Sequence, residues 1–358
     1  MKFINNIHIS KRNNVSFKKN FLIRIIAILG ALLFCSLIIF ALFKYNPLSF
    51  IISIFDGNFG TKRRVWTLLY DAAILLALGL ALVPPFKMKF WNTGADGQAL
   101  MGGLGAAIVI FGLGGKTSNV VVVVLSLLLA LLFGAIWAII PAIFKALWNT
   151  NETLFTLMMN YVAIQFVKYY INIKDKTGHA ILGASEYGHL PEILNEWFFT
   201  ILIVAVLTAI VSLYIKYTKH GYELLVVGDS VNTALYVGIN VKKVIIRTML
   251  VSGLVCGLVG FLLVSGRVHS ISESTLDGRG FTAIIVAWLA HVNPLYMILT
   301  SLFVTFINLG TKQMMTDINI TNNAFQSIII GIFFFFIIGC EFFINYKISF
   351  KKKEEKVC

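Results

Sequence analysis

The stretch HGYELLVVGDSVNTALYVGINVKKV, His220–Val244, is polar and glycine-punctuated, whereas the sequence on both sides of it is almost continuously apolar. Within it, Gly228-Asp229-Ser230 has the composition of a turn, and its Asp or Ser is suited to cap a following helix. Val231–Val237 then predicts about two helical turns, which Gly238 is expected to end as the C′ residue. Because two turns are not stable alone in water, this helix must be docked onto another surface.

The composition around this stretch is that of an all-α polytopic membrane protein. Of 358 residues, 58% are apolar and only 13% are charged, and several runs reach the roughly 18 to 20 apolar residues that a transmembrane helix requires. The net charge of +14 would suggest nucleic acid in a soluble chain. Here the basic residues cluster beside apolar runs at both ends, as the positive-inside rule describes, so nucleic acid is not an expected partner and membrane lipid is. These residues are Lys11, Arg12, Lys18, Lys19, Arg24, Lys347, Lys351, Lys352, Lys353 and Lys356.

The apolar runs predict about ten transmembrane segments. The region Gly280–Gly310 counts as two segments, because Pro294 favours a short helix, a break and a full helix. The other predicted spans are Phe21–Phe43, Trp66–Pro84, Trp91–Gly112, Val120–Phe144, Leu154–Ile171, Trp197–Tyr217, Val244–Ser265 and Gln326–Tyr346. An even number of crossings places both basic ends in the cytoplasm.

This threading divides the chain into a cytoplasmic basic segment (1–20), a transmembrane domain (21–346) and a basic cytoplasmic tail (347–358). The polar block 218–243 becomes a cytoplasmic loop. One basic patch, Lys62-Arg63-Arg64, then falls outside, against the charge rule. The first apolar run is long and lacks a small-residue cleavage site, which favours an uncleaved span over a signal peptide.

Three runs of sequence carry a resemblance to a known family: WNTGADGQALMGGLGA from Trp91, NTNETLFTLMMNYVAIQF from Asn149, and GYELLVVGDSVNTALYVGINVKKVIIRTMLVSGLVCGLVGFL from Gly221. Together they resemble the permeases of ABC importers for branched-chain amino acids, ribose and nucleosides, over roughly Val65–Ile338. The second run is most similar to the nucleoside branch. Sugar or branched-chain amino acid permeases are the alternatives.

The resemblance implies a subunit that forms the solute pathway in a bacterial cytoplasmic membrane and performs no chemistry itself. Its implied partners are a cassette ATPase, a second permease and an extracytoplasmic solute-binding lipoprotein. The loop then becomes the ATPase-coupling segment, in which Ala234 and Gly238 share one face that approaches the partner closely. The full set of expected coupling residues is Gly221, Asp229, Ser230, Ala234, Leu235, Tyr236 and Gly238. The family often has a proline and a basic residue where this chain has Val231 and Leu235.

The chain has no complete nucleotide-binding loop of its own. GLGGKT at Gly112–Thr117 is incomplete, since Ile110 occupies the position of the first glycine of a Walker A motif. The sequence likewise shows no HExxH, GxSxG or paired-carboxylate motif. The four cysteines, Cys35, Cys256, Cys340 and Cys358, show no CxxC spacing. We therefore predict no catalytic residue, metal site or cofactor, and expect ATP hydrolysis on a separate subunit.

Polar residues in the apolar helices are candidates for the solute pathway, because intramembrane polar groups usually face a cavity or a partner. Asn92, Asp96 and Gln98 lie at the start of a glycine-rich helix, where free N–H groups could face a solute. The alternative is that they cap the helix while its glycines allow close packing. Glu152 and Asn160 belong to a second such start, where capping is favoured.

A second interrupted helix, from Gly278 to Pro294, opens with glycines much as the first does. Paired interruptions of this kind are typical of an inverted repeat with a pathway between its halves. Trp91 and Trp288 could stack on a nucleobase, although membrane tryptophans are often interfacial anchors. An ion-coupled secondary transporter is the rival class, with Asp71 and Asp96 as its candidate ionisable groups.

Overall fold

A computed structural model of the chain describes residues 7–11, 17–175, 182–191, 195–320 and 323–350. It is almost entirely helical within these ranges. The elements in chain order are β1 (Ile7–Lys11), α1 (Phe17–Phe43), α2 (Pro47–Phe59), α3 (Lys62–Lys87), α4 (Ala95–Leu113), α5 (Asn119–Trp148), α6 (Glu152–Lys174), α7 (Phe198–Tyr217), α8 (Lys219–Asp229), α9 (Val231–Tyr236), α10 (Val241–Leu263), a π-helix (Val264–Val268), α11 (Arg279–Leu289), α12 (Pro294–Asp317), α13 (Asn323–Asn345) and β2 (Tyr346–Phe350).

The predicted class, an all-α polytopic membrane protein, is confirmed. Eight of the described helices are long and apolar enough to cross a membrane. A ninth long helix, α6, has 23 residues and a more polar composition. The break before Pro294 is also present, and α11 has only 11 residues, about 16 Å, so it cannot cross a bilayer on its own.

The helices divide into two compact units. The larger unit, Val65–Thr305, is built around α4, α5 and α10, which pack backbone to backbone. A Cβ atom placed on Gly102 of α4 would lie 2.5 Å from the Cα of Gly257 in α10, and one on Gly134 of α5 would lie 2.5 Å from the carbonyl oxygen of Gly253. Small residues therefore let these three helices approach closely, as is common in membranes.

The smaller unit comprises Met1–Arg64 and Phe306–Cys358. In its described part, α1 packs along α13, with the rings of Phe34 and Phe336 5.6 Å apart. The Asn58 side chain of α2 donates to the carbonyl oxygens of Ile54 and Phe306 at 2.8 and 2.9 Å. The strands β1 and β2 pair antiparallel, with Ile9 opposite Ile348.

The sequence did not predict α2. This helix has 13 residues, about 20 Å, which is too short to cross a bilayer, and it contains Asp56. Arg64, part of the anomalous basic patch, pairs with this carboxylate at 2.5 Å. The following helix starts at Lys62 rather than at the predicted Trp66, so the patch belongs to a helix start.

Parts of the predicted terminal segments lie outside the described residues. Arg12, the lysines from Lys351 onward, and Cys358 are among them. The other three cysteines are buried and, among the described residues, form no disulfide.

Candidate functional site

The predicted coupling segment, residues 218–243, contains two short helices, α8 and α9, which are joined at Ser230. The first, α8, is capped by Thr218, whose hydroxyl accepts from the Gly221 N–H at 3.0 Å. A Cβ on Gly221 would lie 2.3 Å from the carbonyl oxygen of Ile215, and one on Gly228 would lie 2.2 Å from that of Lys87. The two glycines therefore let α8 lie directly against the ends of α7 and α3.

The prediction of a turn at Gly228-Asp229-Ser230 is wrong in its extent. Gly228 and Asp229 belong to α8, and only Ser230 leaves the helical conformation, with φ −158° and ψ 119°. Glycine was a misleading turn signal here, since Gly228 serves close packing rather than chain reversal.

The predicted caps of the second helix, α9, are confirmed. The Ser230 hydroxyl accepts from the Thr233 N–H at 3.3 Å. Gly238 follows the helix with φ +82°. The Gly238 N–H donates to Leu235 and the Ile239 N–H donates to Ala234, which is the Schellman pattern of a C′ glycine.

The inner face of α9 is docked on the permease itself. Ala234 has no exposed surface and lies in a core cluster with Leu224, Val227 and Met249. The prediction that Ala234 faces a partner together with Gly238 is therefore wrong, because Ala234 is small in order to fit its own protein. Gly238 is open, and a Cβ placed there would meet nothing within 4 Å.

The outer face of α9 is apolar and uncovered. Tyr236 is 92% exposed, and Val231, Leu235 and Val237 are each more than half exposed. These four residues are called the outer face below. Their exposure, on a helix whose other side is buried, produces an uncovered apolar surface.

A cleft of about 1020 Å³ opens beside this helix. The ends of α3 and α5 form one wall, and the coupling segment with the start of α10 forms the other. Leu235 and Gly238 line it, as does an ion pair between Lys145 Nζ and Glu152 Oε2 at 2.9 Å. Glu152 is thus ion-paired at the edge of the cleft, and Asn151 caps α6 by accepting from the Leu154 N–H at 3.1 Å.

One titratable group anchors α8. His220 Nδ1 is hydrogen-bonded to the hydroxyl of Tyr214. Burial of the imidazole lowers the pKa of His220 below its usual 6.5, since the charged form is poorly solvated there. The neighbouring Glu223 raises it by a smaller amount. The helix is therefore attached through a neutral histidine at neutral pH.

The other predicted polar residues meet around the start of α4. Its first residue is Ala95, not Trp91, because the preceding residues are not helical. The Asn92 and Gln98 amides bond each other reciprocally at 3.2 Å, and Asn92 also donates to the Ser252 hydroxyl at 3.2 Å. Both amides are fully buried. This network joins α4 to α10, and a role of these side chains in the pathway stays a prediction.

Asn160 of α6 completes this arrangement. Its carbonyl oxygen accepts from the Gly97 N–H at 2.8 Å, and its amide donates to the Thr93 carbonyl at 2.9 Å. One of the free N–H groups in the first turn of α4, that of Gly97, is therefore satisfied by the protein itself.

The two interrupted helices meet at Asp96. This residue lies in the first turn of α4, and its Oδ1 accepts from the Gly280 N–H at the start of α11 at 2.8 Å. A Cβ on Gly280 would lie 2.7 Å from the Asp96 nitrogen, so only glycine permits this approach. A carboxylate at a helix N-terminus is also favoured by the helix dipole.

The two predicted tryptophans also come together. The rings of Trp91 and Trp288 stack with centroids 5.3 Å apart and an interplanar angle of 29°, and both remain partly exposed. Residues almost two hundred positions apart in sequence thus form one aromatic surface.

Comparison with known proteins matches residues 65–338 to the family described as the permease component of branched-chain amino acid transport systems. The chain belongs to this permease family. The match covers the larger unit, with the coupling segment and both interrupted helices, and continues into the smaller one. The protein is accordingly a multi-pass permease of the ABC transporter type.

Several curated permeases are similar over most of their length. The guanosine ABC transporter permease protein NupP of Bacillus subtilis is 29% identical over 301 residues, 81% of this chain and 86% of that protein. The nucleoside ABC transporter permease protein NupB of Lactococcus lactis is 26% identical, covering 83% and 85%. The glucose ABC transporter permease protein TsgB13 of Haloferax volcanii is 28% identical, covering 78% and 77%. No solved structure shows a significant match.

Proposed function

We propose that this permease forms half of the translocation path of an ABC importer for nucleosides in a bacterial cytoplasmic membrane. Its coupling segment lies on the cytoplasmic side and receives force from a separate cassette ATPase. A second permease and an extracytoplasmic solute-binding lipoprotein complete the assembly.

The exposed apolar outer face of α9 is the observation that supports the coupling role. A short helix docked by a buried alanine, and presenting Tyr236 and Leu235 to the outside, is suited to insert into an apolar groove of a partner. Large exposed aromatic residues are typical anchors of protein interfaces. A solvated loop without a partner would have no reason to keep this surface apolar.

The proposal of a nucleoside rests on the two relatives named for guanosine and nucleosides, and on the stacked Trp91 and Trp288. An exposed aromatic surface can bind the face of a base. The second candidate is a sugar, because the similar Haloferax protein is named for glucose.

A second permease is proposed because the chain carries one coupling segment, whereas cassette ATPases close two nucleotide sites together. Purification of the permease from native membranes should bring down an ATPase and a different permease chain. Recovery of a fully active single permease would contradict this part of the proposal.

The solute is tested with the purified assembly in liposomes containing ATP. We expect uptake of labelled guanosine or uridine. This uptake should stop when ATP is omitted, and an excess of glucose should not inhibit it. Competition by glucose but not by nucleosides would favour the sugar. Uptake without ATP by the permease alone would favour the ion-coupled alternative.

A further inference from the structure

A charged cluster lies within the larger unit and includes no residue of the coupling segment. Asp71 of α3 is the carboxylate at its centre. Its Oδ1 lies 3.2 Å from Nη2 of Arg279, the first residue of α11, and 3.9 Å from Nη1 of Arg267 in the π-helix. The guanidinium of Arg267 also lies over the Tyr70 ring, 5.5 Å from its centroid. Three separate elements therefore converge on one carboxylate.

Three buried hydroxyl groups adjoin this cluster. Those of Tyr70, Thr200 and Ser265 have no hydrogen-bond partner among the described residues, and each side chain is at most 1% exposed. Ser265 belongs to the π-helix, and the other two hydroxyls lie against it: a Cβ on Gly266 would lie 3.0 Å from the Thr200 hydroxyl and 3.9 Å from that of Tyr70. Buried polar groups rarely stay unpaired, so these hydroxyls are expected to bond water or a polar solute.

The cluster is reachable as well as polar. The Arg267 and Arg279 side chains are 34% and 31% exposed, whereas that of Asp71 is 14% exposed. Each guanidinium carries five donors, and the shared Oδ1 can occupy only some of them. Partly exposed donors, a carboxylate acceptor and buried unpaired hydroxyls thus lie close together. A π-helix is also a frequent feature of functional sites in membrane and soluble proteins.

We propose that Asp71, Arg267 and Arg279 form a solute-recognition site that binds the hydrogen-bonding edge of a nucleobase. Asp71 accepts from a ring or exocyclic N–H, and one guanidinium donates to the adjacent carbonyl oxygen or ring nitrogen. The hydroxyls of Thr200 and Ser265 hold the remaining polar groups of the solute, directly or through water. This inference rests on the proposed nucleoside function and names the residues that select the base.

The alternative role of the cluster is an ion pair that only holds three elements together, and a charge swap separates the two. The test uses the purified assembly in liposomes and measures KM and kcat for guanosine and uridine. Asp71→Asn and Arg279→Lys should each raise KM about tenfold or more, the size of one hydrogen bond to a charged group, with abundance and kcat little changed.

The double variant Asp71→Arg with Arg279→Asp restores the ion pair but exchanges the positions of donor and acceptor. Recognition requires that its KM stay raised, whereas recovery of the wild-type KM would show an ion pair only and overturn the proposal. Glu273→Gln is the matched control. It removes a different ion pair, Lys168 to Glu273 at 2.6 Å, and should leave KM unchanged.

A second measurement does not depend on the charged variants. Val268→Cys, at an exposed position directly after Arg267, should react with a small thiol reagent in a purified assembly without the native cysteines, and saturating guanosine should slow that reaction severalfold. Equal rates with and without guanosine, in an assembly that transports guanosine, would contradict the proposed recognition site but not the proposed nucleoside transport. A wild-type assembly that transports no nucleoside would overturn the proposed function and this inference with it.

Discussion

Tyr236 is, among the described residues, the large apolar side chain with the greatest exposure, and it lies at the last position of α9. If the outer face binds the ATPase, Tyr236→Ser removes an aromatic anchor and should lower both solute uptake and solute-stimulated ATP hydrolysis about tenfold. The abundance of the permease should not change, because the exposed ring contributes little to the stability of the permease fold. Uptake assays on membranes with matched permease levels measure this effect.

Two control variants distinguish a loss of ATPase binding from a loss of folded permease. Ala234→Trp places a large ring at a fully buried site, so it should reduce the abundance of the folded permease rather than its coupling. Tyr222→Ser changes an exposed tyrosine of α8 and should affect uptake less than Tyr236→Ser. Normal coupling in Tyr236→Ser would remove the outer face of α9 from the ATPase contact.

At the scale of single residues, sequence reasoning was reliable where the chemistry is local. Ser230 and Gly238 were identified because a cap depends on its immediate neighbours. Ala234 was misassigned because a small residue on a short helix fits a close approach to a partner or to the same chain equally well. Only tertiary contacts distinguish the two.

At the scale of elements, α8 should be sensitive to acid. The pKa of His220 is lower in the folded protein than its usual 6.5, so protonation favours the unfolded state. The stabilisation that the neutral histidine contributes is present above about pH 6.5 and is lost as the pH falls through the lowered folded pKa.

Thermal unfolding of the purified permease checks this expectation. Between about pH 7.5 and about pH 5.5, wild type should lose more of its apparent melting temperature than His220→Gln, which cannot titrate. An equal loss in both proteins would show that His220 does not contribute to the acid sensitivity.

The elements that were not predicted share a physical cause. α8 contains Gly221 and Gly228, which suggest a loop by propensity yet permit contacts that no other residue would allow. α2 is too short to register as a span. The long spans were predictable because a helix in lipid must be continuously apolar, which the sequence displays directly.

At the scale of the whole molecule, the orientation of the chain in the membrane follows from the proposed function. A cysteine introduced at Ser230, in a background without native cysteines, should not react with a membrane-impermeant thiol reagent added to intact cells. One introduced at Ser272, in the segment between the π-helix and α11, should react. The same expectation holds for Asn322, which lies outside the described residues.

Labelling of all three positions after the cells are opened serves as the control for reactivity. Reaction of the Ser230 variant in intact cells would invert the topology and separate the coupling segment from a cytoplasmic ATPase.

The juxtapositions in the larger unit were the least predictable part. Trp91 and Trp288, or Asp71 and Arg279, meet only because distant helices pack together, and no local pattern in the sequence encodes such a pairing. The residues themselves could be nominated, since polar and aromatic side chains in apolar helices are conspicuous. The sequence could not indicate which of these residues lie next to each other.

The continuity of α10 has a mechanical consequence. The span Val241–Val268 runs without interruption from the coupling segment to Arg267, a distance of about 40 Å. At its glycines the backbone lies directly against α4 and α5, so few side chains separate these helices there. Such a helix moves as one rigid element. If the coupling segment receives force from the ATPase, a displacement of the Val241 end reaches Arg267 through this one helix and its π-helical turn.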